Sequence, residues 1–173
     1  SLPRNVREAR LFKHMIIPTL DHPETLALIG HLQVVGGGIP GWEMQARYFS
    51  LLISGLVKLP SRVQMEQDID QKLAIQAKRF VHTERHVFLE PNWIDQLDEM
   101  AEVIGCRPPI WRYALTDPRL WYALVFGASV PYQYRLVGPN SWVGARDAIL
   151  GTYERIEAPY RTEKGYFKCY TSS

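Results

Sequence analysis

The stretch 25–47 constrains the fold of this chain more than any other part. It begins with four consecutive apolar residues at 26–29, a composition typical of a strand buried on both faces. Three glycines follow at 36–38, and Pro40 then suits the first turn of a helix, because its missing N–H would have no partner there. The stretch therefore predicts a strand, a glycine loop and a helix that begins near Pro40.

The predicted helix carries an apolar stripe. Its residues recur at intervals that fit a period of 3.6 residues per turn. They are Trp42, Ala46, Phe49, Ile53 and Leu56. A strand, a glycine loop and a helix start in this order would aim backbone N–H groups at an electron-rich ligand.

The glycine loop also contains a literal G-x-G-x-x-G, formed by Gly36, Gly38 and Gly41. A dinucleotide-binding fingerprint requires a βαβ unit with an acidic residue roughly 20 positions further on. That position after Gly41 is Ser61, and a second helix rather than a strand is predicted to follow. The context argues against a pyrophosphate site and leaves open a plain turn or a helix start facing another cofactor.

Helical signals dominate the rest of the chain. Ser61 and Gln64 form a capping box that opens a helix over 63–77. Asn92 is predicted to cap an amphipathic helix that Gly105 ends. Its inward residues would be Ile94, Leu97, Ala101 and Ile104. The stretch 79–91 between these two helices is predicted to be a polar connection.

Two further helices are predicted near the C-terminal end. Asp117 or Thr116 would cap a helix over 118–126, which is apolar nearly all round and therefore expected to be buried. Ser141 would cap the last helix. The face of that helix would carry Trp142, Ala145, Ile149 and Ile156.

Strands are few in this prediction. They cover 11–17, 25–30 and, more weakly, 134–137. Two or three strands with five helices do not make a complete doubly wound sheet. We therefore expect an α/β fold that is predominantly helical with a small sheet, and the sheet either stands alone or completes one begun upstream.

The composition is that of an ordinary globular protein, with 46% hydrophobic and 22% charged residues. A net charge of +2 without a run of Lys or Arg predicts no nucleic-acid partner. Cys106 and Cys169 are the only cysteines, and their surroundings predict free thiols and no metal site. The longest apolar run, 120–132, is too short to span a bilayer.

Six stretches of the sequence resemble, in order and spacing, the C-terminal part of the flavin-containing monooxygenases. They are LFKHMIIP at 11–18, TLALIGHLQVVGGGIPGWEMQARY at 25–48, GLVKLPS at 55–61, NWIDQLDEMAEVIGCRPP at 92–109, LTDPRLWYALVFG at 115–127 and YQYRLVGPNSWVGARDAIL at 132–150. The resemblance implies that 1–173 is a C-terminal segment of a two-domain flavoprotein that binds FAD and NAD(P). Within it, 10–58 would be a strand-loop-helix unit facing the flavin, and 61–160 a helical region.

The resemblance also implies an activity. Enzymes of this family use FAD, NADPH and O2 to oxygenate soft nitrogen or sulfur atoms of small molecules. They form N-oxides or S-oxides in xenobiotic metabolism. The Baeyer–Villiger conversion of ketones to esters is a closely related activity. The chemistry belongs to the cofactor, and the protein binds, orients and excludes water. We therefore expect no catalytic side chain in this chain.

Four residues are candidates for binding roles that the resemblance implies. The amide of Gln33 would donate to the flavin ring or ribityl chain, and Gly36 would permit close approach. Arg135 would approach the nicotinamide nucleotide, and Trp42 would shape the substrate pocket. Each has a structural alternative: a loop amide for Gln33, a turn for Gly36, core packing for Trp42, and for Arg135 a polar cluster or a pair with Asp117.

Three histidines are weaker candidates. His14, beside Lys13 near a predicted strand end, is more typical of a structural histidine than of a catalytic one. His82 and His86 fall in a stretch predicted to be a solvated loop.

Several features of the family are expected to lie outside this sequence. They are the two glycine turns that anchor FAD and NADPH, which lie upstream, and the hydrophobic C-terminal anchor. The chain alone is therefore expected to be inactive, to bind either cofactor no tighter than millimolar, and to self-associate or pair with the upstream half. The parent would be associated with the endoplasmic reticulum membrane, or cytoplasmic without its anchor. A second hypothesis is a short non-enzymatic remnant or interaction module that binds no flavin.

Overall fold

The computed structural model describes residues 10–31, 38–79 and 92–162. The helices in these ranges are α1 (Ile39–Ile53), α2 (Arg62–Arg79), α3 (Trp93–Ile104), α4 (Ile110–Thr116), α5 (Pro118–Phe126), α6 (Ala145–Leu150) and α7 (Thr152–Thr162). Short 3-10 turns lie at Pro23–Thr25 and Pro131–Arg135. The chain divides into two compact units, Ser1–Ile104 and Gly105–Ser173.

The predicted strands are wrong for the residues that the structure describes. The segment 11–17 folds back on itself, because Lys13 and His14 adopt positive φ angles of 50° and 55°. In place of paired strands, the backbone forms two isolated β-bridges, one within this segment and one between Ile16 and Ala27. Residues 134–137 are not a strand either, since Tyr134 lies in a 3-10 turn. The helical predominance is confirmed, and the small sheet is not found in the described ranges.

The apolar run 26–29 is not a strand buried on both faces. Leu26 and Ile29 remain 46% and 43% exposed. The backbone of Leu28 still anchors the segment, because its N–H donates to the carbonyl of Met15 at 2.8 Å. One bridge holds the run in place, and no neighbouring strand covers its other side in the described part of the chain.

Helix α1 packs against α3 in the first unit. The buried residues of α1 are Gly41, Met44, Gln45, Tyr48 and Leu52. This face is offset by one position, about 100°, from the predicted stripe. Trp42 and Ile53 of that stripe are 40% and 62% exposed, and Leu56, beyond the helix, is 75% exposed. The stripe therefore does not pack on this unit's core.

Two predicted helices of the first unit are confirmed with small changes. The capping box before α2 is present, since the N–H of Ser61 donates to Gln64 Oε1 at 3.0 Å and the N–H of Gln64 to Ser61 Oγ at 3.4 Å. Helix α3 buries Leu97, Ala101 and Ile104 as predicted, but Ile94 is 42% exposed. The predicted polar connection falls almost wholly on 80–91, outside the described residues.

The second unit confirms one cap and corrects two burial predictions. Asp117 caps α5 by accepting a hydrogen bond from the N–H of Leu120 at 3.1 Å. Only Leu120 of that helix is buried, and Tyr122 and Phe126 are 63% and 61% exposed, so the expectation of a buried helix is wrong.

The last predicted helix is two helices. Gly144 rather than Ser141 precedes α6, and Gly151 separates α6 from α7. Ala145 and Ile149 are buried as predicted. The other two residues of the predicted face, Trp142 and Ile156, are 52% and 51% exposed.

Candidate functional site

A buried amide attaches the segment before α1 to the helix. Gln45 is fully buried, and its Nε2 donates to the carbonyl of Lys13 at 3.1 Å. Its Oε1 accepts a hydrogen bond from the N–H of Gly30 at 3.1 Å. Gly30 has a φ of 91°, which favours glycine, so the chain turns there. Helix α1 thus fixes the backbone just before the predicted glycine loop.

The indole of Trp42 lies against both ends of that loop. A Cβ added to Gly38 would stand 2.8 Å from the indole, and one added to Gly30 would stand 3.9 Å from it. Only a residue without a side chain lets the backbone at position 38 lie so close to the ring. The ring is partly exposed, so core packing alone does not account for Trp42. Its assignment to the substrate pocket stays a prediction.

The first turn of α1 carries neither an acidic residue nor a side-chain cap among the described residues. Pro40 lies in that turn as predicted. Ile39 is 72% exposed. A helix N-terminus carries partial positive charge and suits an electron-rich group. Gln33 and Gly36 lie outside the described residues, so their proposed contacts with a flavin stay predictions.

An ion-pair network ties Lys13 to α3 and α2. The Nζ atoms of Lys13 and Lys72 lie 2.8 and 3.3 Å from Glu99 Oε2. Burial raises the pKa of Glu99, but the hydrogen bonds and charges of the two lysines outweigh it, so this pKa is lowered from its ordinary value. Glu99 is therefore ionised at neutral pH. The network positions the segment that Gln45 also holds.

Arg135 closes a loop of the second unit. Its Nη1 donates to the carbonyl of Asn140 at 3.0 Å, and its own carbonyl accepts from the N–H of Trp142 at 2.8 Å. These bonds favour a structural role. The partner of Asp117 is Arg146, whose Nε lies 2.6 Å from Asp117 Oδ2. A contact of Arg135 with a nicotinamide nucleotide stays a prediction.

Gln45 and Lys13 are positioning residues that were not predicted from the sequence. A signal for Gln45 was present, because positions 41, 45, 48 and 52 share one helix face with helical spacing. The stripe that begins at Trp42 is more apolar and therefore predicts a different buried face. Of the histidines, His14 has a positive φ of 55° in the turn at 13–14. His82, His86 and Cys169 lie outside the described residues, and Cys106 is a buried free cysteine.

The described ranges contain neither a metal-binding cluster nor a membrane-crossing helix. In the described ranges, no group of three or more His, Cys, Asp or Glu side chains could hold a metal ion. No helix in the same ranges has the length and apolar character needed to cross a membrane.

Comparison with known proteins identifies the family. A family model described as flavin-binding monooxygenase-like matches residues 3–166. The chain is 41% identical over 152 residues to flavin-containing monooxygenase 5 of Rattus norvegicus, covering 88% of this chain and 28% of that protein. It is 41% identical over 155 residues to flavin-containing monooxygenase 3 of Canis lupus familiaris, covering 90% and 28%.

The human relative gives the same picture. Flavin-containing monooxygenase 5 of Homo sapiens is 39% identical over 152 residues, covering 88% of this chain and 28% of that protein. The chain thus spans little more than a quarter of the length of the relatives it matches. Because the family model covers nearly the whole sequence, the resemblance is confirmed, and the chain belongs to the flavin-binding monooxygenase-like family.

Proposed function

We propose that this chain is a segment of a flavin-dependent monooxygenase that uses FAD, NADPH and O2 to oxygenate soft nitrogen or sulfur atoms of small molecules. The observation that carries the proposal is the family match over 3–166. The first turn of α1, which carries no acidic residue, supports it. The chain would be the C-terminal part of the enzyme, and most cofactor contacts would come from the upstream half.

The residues around the N-terminus of α1 fit a flavin. The first turn has no acidic side chain that would repel an anion. Reduced flavin carries negative charge at its pyrimidine edge, and a helix N-terminus stabilises a nearby anion by about 0.3–1 kcal/mol. When bound, the flavin would supply the oxygen-activating chemistry.

The chain's own residues would position the flavin and shield it from water. Gln45 fixes the backbone at Gly30. The indole of Trp42 lies between that backbone and Gly38 at the start of the helix. Gln33 and Gly36, in the loop between them, would contact the flavin. The position of these residues matters because misplacing the reacting groups by about 1 Å can cost ~100-fold in rate.

The exposed stripe on α1 supports a larger assembly. Trp42 and Ile53 are 40% and 62% exposed on one side of α1, and large apolar side chains exposed together favour an interface. We propose that the upstream half of the enzyme covers this stripe. Without that half, the chain would be inactive and would self-associate. We also propose that the enzyme is associated with the endoplasmic reticulum membrane, as the family resemblance implies.

The test uses the full-length protein that contains this segment. Purified protein should show the visible absorbance of a flavin, oxidise NADPH with uptake of O2, and convert a tertiary amine to its N-oxide. Gln45→Leu should lower the flavin content, whereas Gln67→Leu, a matched change at an exposed glutamine of α2, should not. A colourless protein without NADPH oxidation would contradict the proposal and would favour a non-enzymatic module.

A further inference from the structure

Helices α4 and α5 of the second unit pack against each other and carry a group of aromatic rings at the surface. Trp111 of α4 is 76% exposed, and Tyr122 and Phe126 of α5 are 63% and 61% exposed. The ring centroid of Trp121 lies 6.4 Å from that of Trp111 and 5.9 Å from that of Phe126. The centroids of Phe126 and Tyr122 are 5.1 Å apart. The four rings therefore form one connected surface, which we call the aromatic patch.

Leu115 extends the aromatic patch along α4. It lies four residues after Trp111, which places both side chains on one face of the helix, and it is 90% exposed. Single exposed apolar residues are ordinary on a protein surface, but several in contact mark a binding surface. The proposed flavin chemistry uses none of these side chains and does not account for their exposure.

The charged side chains on the two helices beside the aromatic patch are basic. Arg112 is exposed on α4, directly after Trp111. Arg119 is exposed on α5 and lies three residues before Tyr122 and seven before Phe126, on the same face of that helix. An arginine at the edge of an apolar surface can keep its stem on that surface and its guanidinium in a polar layer.

The acidic side chains nearby are paired with another arginine. Asp117 is the one acidic residue between positions 105 and 130, and its Oδ2 lies 2.6 Å from Nε of Arg146. Asp147 belongs to α6, which packs against α5, and it lies 3.2 Å from Nη1 of the same arginine. Because both carboxylates face Arg146, the exposed Arg112 and Arg119 give the aromatic patch a positive edge.

We propose that the aromatic patch rests on an anionic lipid surface. Trp and Tyr have an apolar body and a polar tip, and they are enriched where a membrane meets water. Exposed arginines beside them add attraction to acidic headgroups. Helices of seven and nine residues are too short to cross a bilayer, so α4 and α5 would lie along its surface. This assignment rests on the membrane association proposed above and names the surface that makes the contact.

Vesicle sedimentation tests the proposal with the purified 173-residue chain. We expect saturable binding to vesicles of phosphatidylserine and phosphatidylcholine in equal parts. Vesicles of phosphatidylcholine alone should bind at least about tenfold more weakly, because they lack the acidic headgroups that attract the arginines. Absence of binding to the mixed vesicles, or equal binding to both kinds, would overturn the proposal.

A matched pair of leucines tests the contact itself. Leu115→Gln places an amide on the aromatic patch and keeps a similar helix propensity, so binding to the mixed vesicles should weaken about five- to tenfold. Leu56→Gln makes the same change at an exposed leucine outside the patch and should leave binding unchanged. Equal affinities in the two variants would show that another surface makes the contact.

The role of the arginines has its own matched pair. Arg112→Gln combined with Arg119→Gln should abolish most of the preference for phosphatidylserine. Lys78→Gln combined with Arg79→Gln lowers the net charge by the same amount at exposed positions of α2 and should keep that preference. An equal loss in both double variants would mean that overall charge, rather than the edge of the aromatic patch, attracts the vesicles.

Tryptophan fluorescence locates the aromatic patch relative to the lipid. Brominated acyl chains quench tryptophans that lie close to them, so mixed vesicles that contain brominated lipid should quench the bound chain. Trp111→Phe keeps an aromatic ring and should remove a clear part of this quenching. Trp93→Phe, at a half-buried position of α3, is the control and should not. Unchanged quenching in Trp111→Phe would overturn the proposal.

Two protein occupants would give different results. If a second copy covered the aromatic patch, Leu115→Gln would lower the mass of the chain in light scattering, and the wild type would not bind vesicles. If the upstream half covered it, Leu115→Gln in the full-length protein would lose flavin. Either result would overturn the proposal. We expect flavin content and NADPH oxidation of that variant to equal those of the wild type, so the lipid contact can fail while the proposed enzyme function stands.

Discussion

The side-chain oxygen of Gln45 accepts a hydrogen bond from the backbone N–H of Gly30 at 3.1 Å. The other end of the same amide donates to the carbonyl of Lys13. In a sheet, neighbouring strands would pair such backbone groups. Here one buried side chain pairs both, so the position of the segment that leads to α1 depends on a single residue.

Replacing Gln45 with Leu should destabilise the first unit strongly. The change leaves two backbone groups, the N–H of Gly30 and the carbonyl of Lys13, without their partner. An unpaired buried group costs about 1–3 kcal/mol, so we expect a loss of about 2–4 kcal/mol in the free energy of unfolding. Denaturant unfolding measures it, with Gln67→Leu as the exposed control. A loss below about 0.5 kcal/mol would mean that water replaces both bonds.

Gly138 should not tolerate alanine. Its φ is 74°, and an added Cβ would collide with the carbonyl oxygen of Gly105. Gly55 has a similar φ of 69° but open space around it. We expect Gly55→Ala to cost about 1 kcal/mol, from the backbone conformation alone. Gly138→Ala should cost at least about 2 kcal/mol more. If thermal unfolding showed the same loss of stability for Gly138→Ala and Gly55→Ala, the close approach of Gly138 to Gly105 would be contradicted.

The ionised form of Glu99 should contribute to stability in a pH-dependent way. Its pKa is lowered in the folded state, so its contribution is present above the ordinary pKa of 4.5 and is lost as the pH falls through the folded value. Because this side chain is 46% exposed, we expect at most about 1 kcal/mol. Wild type should therefore lose more stability on acidification than Glu99→Gln. Parallel stability curves between neutral pH and about pH 3 would show that the lysine contacts do not hold in solution.

Asp117 performs two roles that two substitutions separate. It caps α5 through the N–H of Leu120, and it pairs with Arg146, whose hydrogen bond lowers the pKa of Asp117. Asp117→Asn keeps a capping oxygen and removes the charge, whereas Asp117→Ala removes both. We expect the melting temperature to fall more for Asp117→Ala than for Asp117→Asn. Adding salt should narrow the difference in melting temperature between wild type and Asp117→Asn, because salt screens the ion pair with Arg146. A lower melting temperature for Asp117→Asn than for Asp117→Ala would contradict the role of Asp117 as a cap.

The starts of α1, α2 and α5 could be predicted from sequence because their signals are local, whereas α4 was not predicted. The capping box of Ser61 and Gln64 and the cap by Asp117 depend on residues three apart, which interact wherever the helix lies. The start of α1 at Pro40 follows from the same kind of local rule. Family membership could also be predicted, because long ordered stretches of sequence carry it.

Burial could not be predicted in the same way. An apolar stripe shows which residues favour burial, but not what buries them. Trp42 and Ile53 are exposed in this chain, while the face of α1 that contains Gln45 is buried. A glutamine at the centre of a buried face looks unfavourable in a hydropathy pattern, and it becomes favourable only when Lys13 and Gly30 provide its partners.

The most direct measurement of the proposed position of α1 is the midpoint potential of the flavin in the full-length protein. Ile39→Glu places a negative charge in the exposed first turn of α1, and Ile39→Gln is the neutral control. If that turn faces the flavin, the added charge should disfavour the anionic reduced form. We expect the potential of Ile39→Glu to lie about 10–20 mV below that of Ile39→Gln at low salt. Equal potentials in the two variants would show that α1 does not point at the flavin and would contradict the proposed site.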